Sequence, residues 1–303
     1  MTSSGADLSA AEPRGQAEPA WEIRENCVNC DVARQLAPET VVEAGARSVL
    51  LRQPADEAEE LALARAAVAC PVRAIRRGPG AVPAAPFPMR LDGEVHLCGH
   101  NSARTFGANA YLVRRPEGNL LVDTPRWTPA VAASYEELGG IAHILLTHRD
   151  HTAHARRFAR HFGARVWIHE GDRDAAPYAD MVLRGREPVD VLPGVTARPV
   201  PGHTRGSVVY VVDERYCFTG DTLYWSRTAQ DLEVFETVVW YSRAELTESL
   251  LRLAEQARFS WVLPGHGDRC HRPAGELHER LLGLVARMRG RPPQPLDIGA
   301  VEW

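Results

Sequence analysis

The sequence predicts an α/β protein built from one large domain and one small domain. After residue 89, short runs of β-branched and apolar residues alternate with longer stretches of helix-forming residues, as in a layered α/β fold. A proline-rich segment at residues 79–88 separates this part from an earlier stretch that has its own helix, so we expect a linker there. The chain of 303 residues is also longer than one hydrophobic core usually organises.

The predicted small domain comprises residues 21–78. We expect a strand near Trp21–Arg24 and a helix at Asp56–Ala69, because Ala, Leu, Glu and Arg dominate the second stretch and all favour helix. Asp56 suits the N-cap position, where a carboxylate accepts a hydrogen bond from a backbone amide of the first turn. The pattern therefore predicts a unit with both strand and helix, separate from the larger domain.

The predicted larger domain, residues 89–290, carries the alternation of strands and helices. Several strand runs are apolar at every position, which is typical of strands that are covered on both faces. The helical stretches between them supply the covering layers. The predicted strands are Ala110–Val113, Asn119–Asp123, His143–Leu146, Arg165–Ile168, Ala197–Val200, Val208–Val212, Cys217–Thr219 and Trp261–Leu263, and the predicted helices are Ala130–Leu138, Ala153–Phe162 and Arg243–Ala257.

Composition and charge narrow the class of protein and of partner. Hydrophobic residues make up 45% and charged residues 24%, so the chain resembles neither disordered nor fibrous proteins. The net charge of −4 and the lack of an Arg-dense stripe argue against a nucleic-acid partner. The sequence shows no secretory signal and no apolar run of membrane-spanning length. We therefore expect a cytoplasmic protein with a small-molecule substrate and no membrane partner, while the oligomeric state stays open.

The chain ends and the thiols add three expectations. Residues 1–20 are rich in Ala, Ser, Gly, Pro and Glu and bury too little apolar surface to order themselves, so we expect a flexible tail. We expect a second tail at residues 291–303. The six cysteines, at positions 27, 30, 70, 98, 217 and 270, would suit a disulfide framework only in a short secreted chain. We expect free thiols or metal ligands instead.

Four clusters of His, Asp and Gly follow strand-like runs in the larger domain. Loops at one edge of a sheet converge, so groups that are distant in sequence can surround one ion. Imidazole nitrogen and carboxylate oxygen suit zinc, iron and manganese, and such an ion can generate a hydroxide nucleophile at neutral pH. Taken singly, each His is as well explained by an ordinary hydrogen bond. The clusters centre on His148 and Asp150, on His203, on Asp221 and on His266.

The order of these clusters resembles the metallo-β-lactamase superfamily. The matching segments are His148-x-Asp150, Pro-Gly-His203-Thr-x-Gly-Ser, Thr-Gly-Asp221 and Pro-Gly-His266-Gly, within residues 95–270. The resemblance implies an αββα sandwich of two mixed sheets and a hydrolase that uses a metal-bound hydroxide on an ester, thioester or lactam-like bond. It implies one or two ions, of zinc or of iron or manganese, with Asp150 acting as a ligand or as a general base.

The first motif departs from the His-x-His-x-Asp-His of that superfamily. Counted from His148, Asp150 stands at the second His position, Thr152 at the Asp position and Ala153 at the last His position. A single tightly held ion is therefore the safer expectation. His151 is a further candidate ligand. Alternatively, it is a solvated residue at the start of a helix. For His154 we favour the alternative without metal.

Other residues of the larger domain have two interpretations. The resemblance implies that Asp123 closes the second strand of an opening hairpin and supports the metal loops. The segment at residues 169–172 is interpreted as a loop that ends a strand, although it could line the cleft. Four aromatic residues after the Asp221 motif either contact substrate or pack in the core. They are Trp225, Phe235, Trp240 and Tyr241.

The small domain resembles the ferredoxin-like domain that precedes a subset of this superfamily. Cys27, Cys30 and Cys70 match the first pair and the last cysteine of a single 4Fe-4S site, and Ala33 stands at the third position. A 4Fe-4S cluster takes four thiolates as a rule. Either an outside ligand or water completes the cluster, or the domain keeps its fold without metal, which is the alternative that we favour. Cys98, Cys217 and Cys270 are expected to be ordinary thiols.

Three functions are compatible with these residues. The first is the metal-dependent hydrolase. The second is an iron-dependent oxidoreductase that receives electrons from an iron-sulfur site in the small domain. The third is a non-catalytic binding protein with a degenerate metal site. The substrate cannot be read from the sequence, because one fold supports many activities.

Overall fold

The computed structural model describes residues 21–79, 84 and 86–297. The predicted tail at residues 1–20 lies outside this range, as do half of the predicted linker and the last six residues. None of the described helices is both long and apolar enough to cross a lipid bilayer.

The first domain is a small α+β unit with its own core. Strand β1 pairs antiparallel with β4, and β2 pairs with β3 in a hairpin. The helix predicted at residues 56–69 is present as α2, and the Asp56 side chain accepts a 2.9 Å hydrogen bond from the backbone amide of Glu59. Trp21, Leu63 and Ile75 belong to the buried core of this unit. Its elements are β1 (Trp21–Ile23), α1 (Val32–Leu36), β2 (Val41–Glu43), β3 (Ser48–Leu50), α2 (Glu57–Ala69) and β4 (Ile75–Arg77).

The second domain begins with a mixed sheet of seven strands. Their spatial order is β11-β10-β9-β8-β7-β6-β5, so each strand lies beside its neighbour in sequence. The pairs from β8 to β11 are parallel and the pairs from β5 to β8 are antiparallel. The strands are β5 (Met89–Asp92), β6 (Val95–Leu97), β7 (Tyr111–Val113), β8 (Leu120–Val122), β9 (His143–Leu145), β10 (Arg165–His169) and β11 (Met181–Leu183).

A second sheet of six strands follows, in the order β12-β13-β14-β15-β18-β19. Only the β15–β18 pair is parallel. A separate hairpin, β16–β17, stands between β15 and the next helix in sequence. The strands are β12 (Val189–Leu192), β13 (Val195–Pro199), β14 (Val208–Val212), β15 (Tyr216–Gly220), β16 (Tyr224–Ser226), β17 (Asp231–Glu233), β18 (Trp261–Pro264) and β19 (Cys270–His271).

Two helices cover the outer face of each sheet, which confirms the expected αββα sandwich. Alternate residues of one strand enter different cores: Leu120 and Val122 of β8 face the second sheet, and Leu121 packs on the helical side. Strands buried on both faces therefore appear as unbroken apolar runs. On the first sheet lie α3 (Pro129–Glu136) and α4 (Ala155–Phe162), and on the second lie α5 (Arg243–Gln256) and α6 (Ala274–Gly290).

The two domains are joined by buried polar contacts. The Asp31 carboxylate is fully buried and lies 2.7 Å from both the Arg34 guanidinium of its own domain and the Arg227 guanidinium of the second. The backbone amide of Asn101 donates a 3.1 Å hydrogen bond to the carbonyl of Ala69. Because buried charges are costly unless paired, this junction fixes one arrangement of the domains.

Candidate metal centre

The predicted ligand loops meet at one edge of the sandwich. The loop after β9 carries His148 into a short 3-10 helix at Arg149–His151, and the loops after β13 and β15 carry His203 and Asp221. The first loop comes from one sheet and the other two from the second sheet. The fold therefore brings together side chains that lie more than seventy positions apart in sequence.

Five side chains point donor atoms at one small region. Asp221 Oδ2 lies 3.5 Å from both His148 Nε2 and His151 Nε2, and 3.9 Å from His203 Nε2. Asp150 Oδ2 lies 3.5 Å from His203 Nε2 and 3.7 Å from His148 Nε2. Two overlapping groups of potential metal ligands result, and they share His148: one adds His151 and Asp221, and the other adds Asp150 and His203.

These residues fit a divalent metal ion. Two ligands that each bind an ion at about 2.1 Å in tetrahedral geometry are about 3.4 Å apart, close to the observed separations. N–H···O hydrogen bonds are shorter, about 2.7–3.2 Å. Within the described part of the chain, the Nε2 atoms of His148, His151 and His203 are buried without a hydrogen-bond partner. Buried polar atoms normally have partners, so these three nitrogens are available to a shared cation.

The tautomer of His148 directs a lone pair at the cluster. The Thr147 hydroxyl donates a 2.8 Å hydrogen bond to Asp123 Oδ2, so its oxygen accepts from His148 Nδ1 at 3.0 Å. Nδ1 therefore carries the proton and Nε2 is the unprotonated nitrogen. Burial lowers the pKa of His148, as does the neighbouring His151 imidazole, which keeps this ring neutral.

Charge at the centre is divided between two carboxylates and one imidazole. Burial alone would raise the pKa of Asp221, but His266 and His151 hold this pKa well below its ordinary value. Burial alone would lower the pKa of His151, but Asp221 and Asp123 hold this pKa well above its ordinary value. Burial also opposes ionisation of Asp150, yet the pKa of Asp150 is lowered by His203 and His148. The carboxylates are therefore ionised and attract a cation.

Asp123 supports two of the candidate ligands at once. Its Oδ2 accepts hydrogen bonds from His151 Nδ1 at 2.8 Å and from the Thr147 hydroxyl, and its Oδ1 accepts from the backbone amide of Thr147 at 2.9 Å. A carboxylate behind an imidazole orients the ring and makes its other nitrogen more basic. The supporting role expected for Asp123 thus has a specific geometric basis.

Asp172 is a second supporting residue, within the segment at residues 169–172 that the sequence analysis interpreted as a loop ending a strand. The side chain is completely buried and accepts hydrogen bonds from the Thr204 hydroxyl at 2.5 Å and from the backbone amide of Arg149 at 2.9 Å. It thereby joins the loop of Asp150 to the loop of His203. An Asp after a strand is common in loops, so its pairing partners could not be inferred from its position.

His266 and His154 occupy different places from the donor cluster. His266 Nδ1 donates a 2.9 Å hydrogen bond to Asp221 Oδ1, and its Nε2 lies 3.3 Å from the carbonyl oxygen of Phe106. His266 thus holds the far oxygen of Asp221. His154 Nε2 lies 3.0 Å from the Ser102 hydroxyl, outside both groups of ligands. Thr152 stands at the Asp position of the motif, and its hydroxyl donates a hydrogen bond to the carbonyl oxygen of Arg149.

A cleft of about 300 Å³ opens beside these donors. Phe235 and Trp240, two of the four aromatic residues noted after the Asp221 motif, line it together with Phe106 and Val238. Trp225 instead belongs to the core between the second sheet and its helices, and Tyr241 is exposed outside the cleft lining. The sequence did not single out Phe106 or its neighbour Arg104, because both precede the first metal motif.

Three cysteines of the small domain line one pocket. Cys27, Cys30 and Cys70 contribute their thiols, and the methyl group of Ala33 lines the same pocket. Burial raises the pKa of the Cys30 thiol to about 12. Ser48 also lines the pocket, but its hydroxyl accepts a 3.1 Å hydrogen bond from Arg34. Three thiols are one too few for a 4Fe-4S cluster that is held entirely by this domain, so the donor set does not fit.

Two family models match separate stretches of the chain. A family model described as the metallo-beta-lactamase superfamily matches residues 95–287. A second model, described as the 4Fe-4S single cluster domain of ferredoxin I, matches residues 23–77 and agrees with the ferredoxin-like assignment of the small domain. The crystal structure of DIM-1 metallo-beta-lactamase exposed to ceftazidime superposes with a TM-score of 0.50 at 18% identity, over 66% of this chain and 95% of that one. This likeness shows the fold alone.

Two curated relatives align with parts of the chain. A hydroxyacylglutathione hydrolase of Acidiphilium cryptum is 34% identical over 119 residues, which cover 38% of this chain and 49% of that protein. Thioesterase pkgB of Emericella nidulans is 30% identical over 189 residues, which cover 57% of this chain and 50% of that protein. The chain thus spans about half the length of these relatives. From the family model and the fold together, the chain belongs to the metallo-beta-lactamase superfamily.

Proposed function

We propose that the protein is a metal-dependent hydrolase that cleaves an ester, thioester or lactam-like bond in a small molecule. One observation carries the proposal: three imidazoles and two carboxylates converge at separations of 3.5–3.9 Å beside an open cleft. The names of the two relatives, a hydrolase and a thioesterase, support the same type of reaction. The chain covers only half of each, so the activity is inferred from the site.

The proposed ligands are His148, Asp150, His151, His203 and Asp221, holding one or two ions. We expect zinc, with iron or manganese as alternatives, because imidazole and carboxylate suit all three. Such an ion acidifies water and polarises a carbonyl group. His266 was also predicted as a ligand. To bind an ion through Nδ1, it would have to give up the hydrogen bond that this atom makes to Asp221. In our proposal it positions Asp221.

Asp150 is the proposed general base. Its carboxylate is half exposed to the cleft, whereas Asp221 is almost completely enclosed by imidazoles. The Asp150 carboxylate is ionised, and while Oδ2 faces the donor cluster its second oxygen can accept a proton from water in the cleft. In the net reaction the water oxygen bonds to the acyl carbon and the C–O, C–S or C–N bond breaks. The leaving group departs with one of the two water protons.

We also propose that the protein works in the cytoplasm. All six cysteines lie within the described residues and are free thiols. Disulfide bonds form in secreted proteins and are rare in the cytoplasm, so this state is the one expected there. The small domain is proposed to act as a structural unit, because its donor set falls one thiolate short of a complete cluster.

Metal analysis followed by hydrolysis assays tests the proposal. Protein purified without added metal is analysed for zinc, iron, manganese and acid-labile sulfide, and its hydrolysis of p-nitrophenyl acetate and of a thioester is then measured. We expect bound zinc, loss of hydrolysis after chelation, and recovery when zinc is restored. His203→Ala should abolish both metal binding and turnover. His278→Ala, on α6, is the matched control and should retain both.

The results separate the three functions. Iron and acid-labile sulfide in amounts stoichiometric with the protein would favour the oxidoreductase. Metal bound without any turnover would favour a binding protein. Hydrolysis that persists after complete metal removal, or that survives in the His203→Ala protein, would overturn the proposed function.

A further inference from the structure

The cleft has an apolar wall on two sides of the proposed metal centre. Phe106 stands on one side, with its ring centroid 6.3 Å from that of His266, and Trp240 stands on the other, 6.4 Å from His203. Both rings leave much of their surface open to solvent, with relative exposures of 39% and 46%. Covering such rings with an apolar group is favourable. The cleft therefore favours an aromatic or branched apolar group beside the reacting bond.

The cavity limits the size of that group. Its volume of about 300 Å³ lies at the small end of the range for ligand sites, about 300–1,000 Å³. Phe235 and Val238 line it between the two walls. Phe235 stacks on Tyr224 with 3.9 Å between ring centroids, which fixes this part of the lining. A single ring or a short branched chain fits the space.

One arginine lines the cleft. Arg104 is exposed and stands two residues before Phe106. No carboxylate among residues 21–79, 84 and 86–297 lies within 4.0 Å of the Arg104 guanidinium, so its charge is not neutralised by an ion pair there. The acidic residues of the cleft, Asp150 and Asp221, face the imidazoles instead. A guanidinium in this state is complementary to an oxyanion of the substrate.

We propose that the substrate carries an apolar acyl group and, separately from the reacting bond, an oxyanion such as a carboxylate or phosphate that Arg104 binds. The apolar group lies between Phe106 and Trp240. This inference rests on the proposed hydrolase function, and it adds the chemical class of the substrate. It makes Arg104 and Trp240 specificity-determining residues.

Binding of product-like acids tests this inference without any turnover. The probes are 3-phenylpropanoate, which has one carboxylate, and benzylsuccinate, which has the same ring and a second carboxylate. Titration calorimetry with the zinc-loaded full chain gives both affinities. Because an exposed ion pair contributes up to about 1 kcal/mol, we expect benzylsuccinate to bind up to about fivefold more tightly. Succinate, which lacks the ring, should bind more weakly than either.

Three variants assign the effect to residues. Arg104→Gln should abolish the preference for benzylsuccinate, and Trp240→Leu should weaken both aromatic probes while keeping the preference. Arg114→Gln is the charge-matched control, because Arg114 is exposed and pairs with Glu94 away from the cleft. A third probe with a phosphonate in place of the second carboxylate separates the two kinds of oxyanion: an Arg104-dependent preference for the phosphonate indicates a phosphate site, and one for benzylsuccinate indicates a carboxylate site.

The two proposals fail in distinguishable ways. Equal affinity of the two probes for the unaltered protein, or a preference that survives in Arg104→Gln, would overturn the substrate class even if simple esters are hydrolysed. Absence of hydrolysis with an intact, Arg104-dependent preference would instead overturn the hydrolase and leave the ligand class in place.

Discussion

His151 illustrates how a single residue acquires a role from its surroundings. The Asp123 carboxylate accepts a hydrogen bond from its Nδ1, and Asp221 lies near its Nε2. The ring therefore connects a supporting carboxylate with a proposed ligand. These two carboxylates raise the pKa of His151 when no metal is bound. A metal ion would take the place of the Nε2 proton and would neutralise the same carboxylates. The proton and the ion thus compete for one nitrogen.

Substitution of His151 should therefore abolish or strongly weaken metal binding. Loss of a supporting residue typically lowers metal affinity by about 10–100-fold, and we expect a larger decrease for His151→Gln. Competition with a chromophoric chelator measures the affinity. His154→Gln is the matched control, since His154 bonds Ser102 outside the cluster and should keep the affinity of the unaltered protein. Equal affinities for the two variants would contradict our assignment of His151.

At the scale of elements, the loops after the strands need glycine where the backbone approaches the centre. Gly265 follows β18, and a Cβ atom at this position would lie 2.5 Å from His151 Cε1 and 2.7 Å from Asp221 Oδ1. Neither side chain can retreat easily, because each is held by hydrogen bonds. The loop therefore excludes every residue larger than glycine at the point of closest approach.

Gly265→Ala should consequently displace His151 and Asp221. We expect metal affinity to fall by at least about 10-fold with little loss of helix or sheet content, measured by metal titration and circular dichroism. Gly283→Ala is the contrasting variant, because Gly283 lies inside α6 and an added methyl group would meet its nearest atom at 3.6 Å. This second variant should raise the free energy of unfolding by about 0.5–1 kcal/mol. Unchanged metal binding in Gly265→Ala would refute the proposed crowding.

For the whole molecule, the junction of the domains depends on a buried charge. Burial raises the pKa of Asp31, while Arg227 of the second domain and Arg34 of the first favour its ionised form. The small domain also reaches the cleft, since Cys30 and Pro71 pack on Gly107, next to Phe106. The position of one cleft wall therefore depends on the docking of the small domain.

Removing Arg227 should loosen this docking. Arg227→Met leaves Arg34 as the one guanidinium beside Asp31, and we expect a loss of about 3 kcal/mol in the free energy of unfolding together with faster cleavage between the domains in limited proteolysis. Arg215→Met removes an exposed ion pair with Asp92 and should change stability by less than about 1 kcal/mol. Similar stability for the two variants would argue against the buried junction.

The sequence by itself determined the layered α/β class, and its resemblance to the metallo-β-lactamase superfamily added the αββα arrangement and three of the candidate ligand loops. Strands buried on both faces are apolar at every position, and the His203 and Asp221 motifs combine a ligand with the glycine that its turn requires. The boundaries of α2 and α5 were predicted to within about one residue, but α6, the longest described helix, was not predicted. Short elements such as β2, β3 and the hairpin β16–β17 were missed, because three residues carry too little periodicity.

Only the tertiary structure decided which side chains of the first motif reach the centre. Counting from His148 put Thr152 and Ala153 at ligand positions, but the 3-10 turn at Arg149–His151 directs Asp150 and His151 to the cluster. The supporting contacts of Asp172 and the cleft position of Arg104 also depend on loops from distant strands. The physical reason is that periodicity and turn chemistry act within a few residues, whereas a metal centre requires atoms from several loops within about 4 Å.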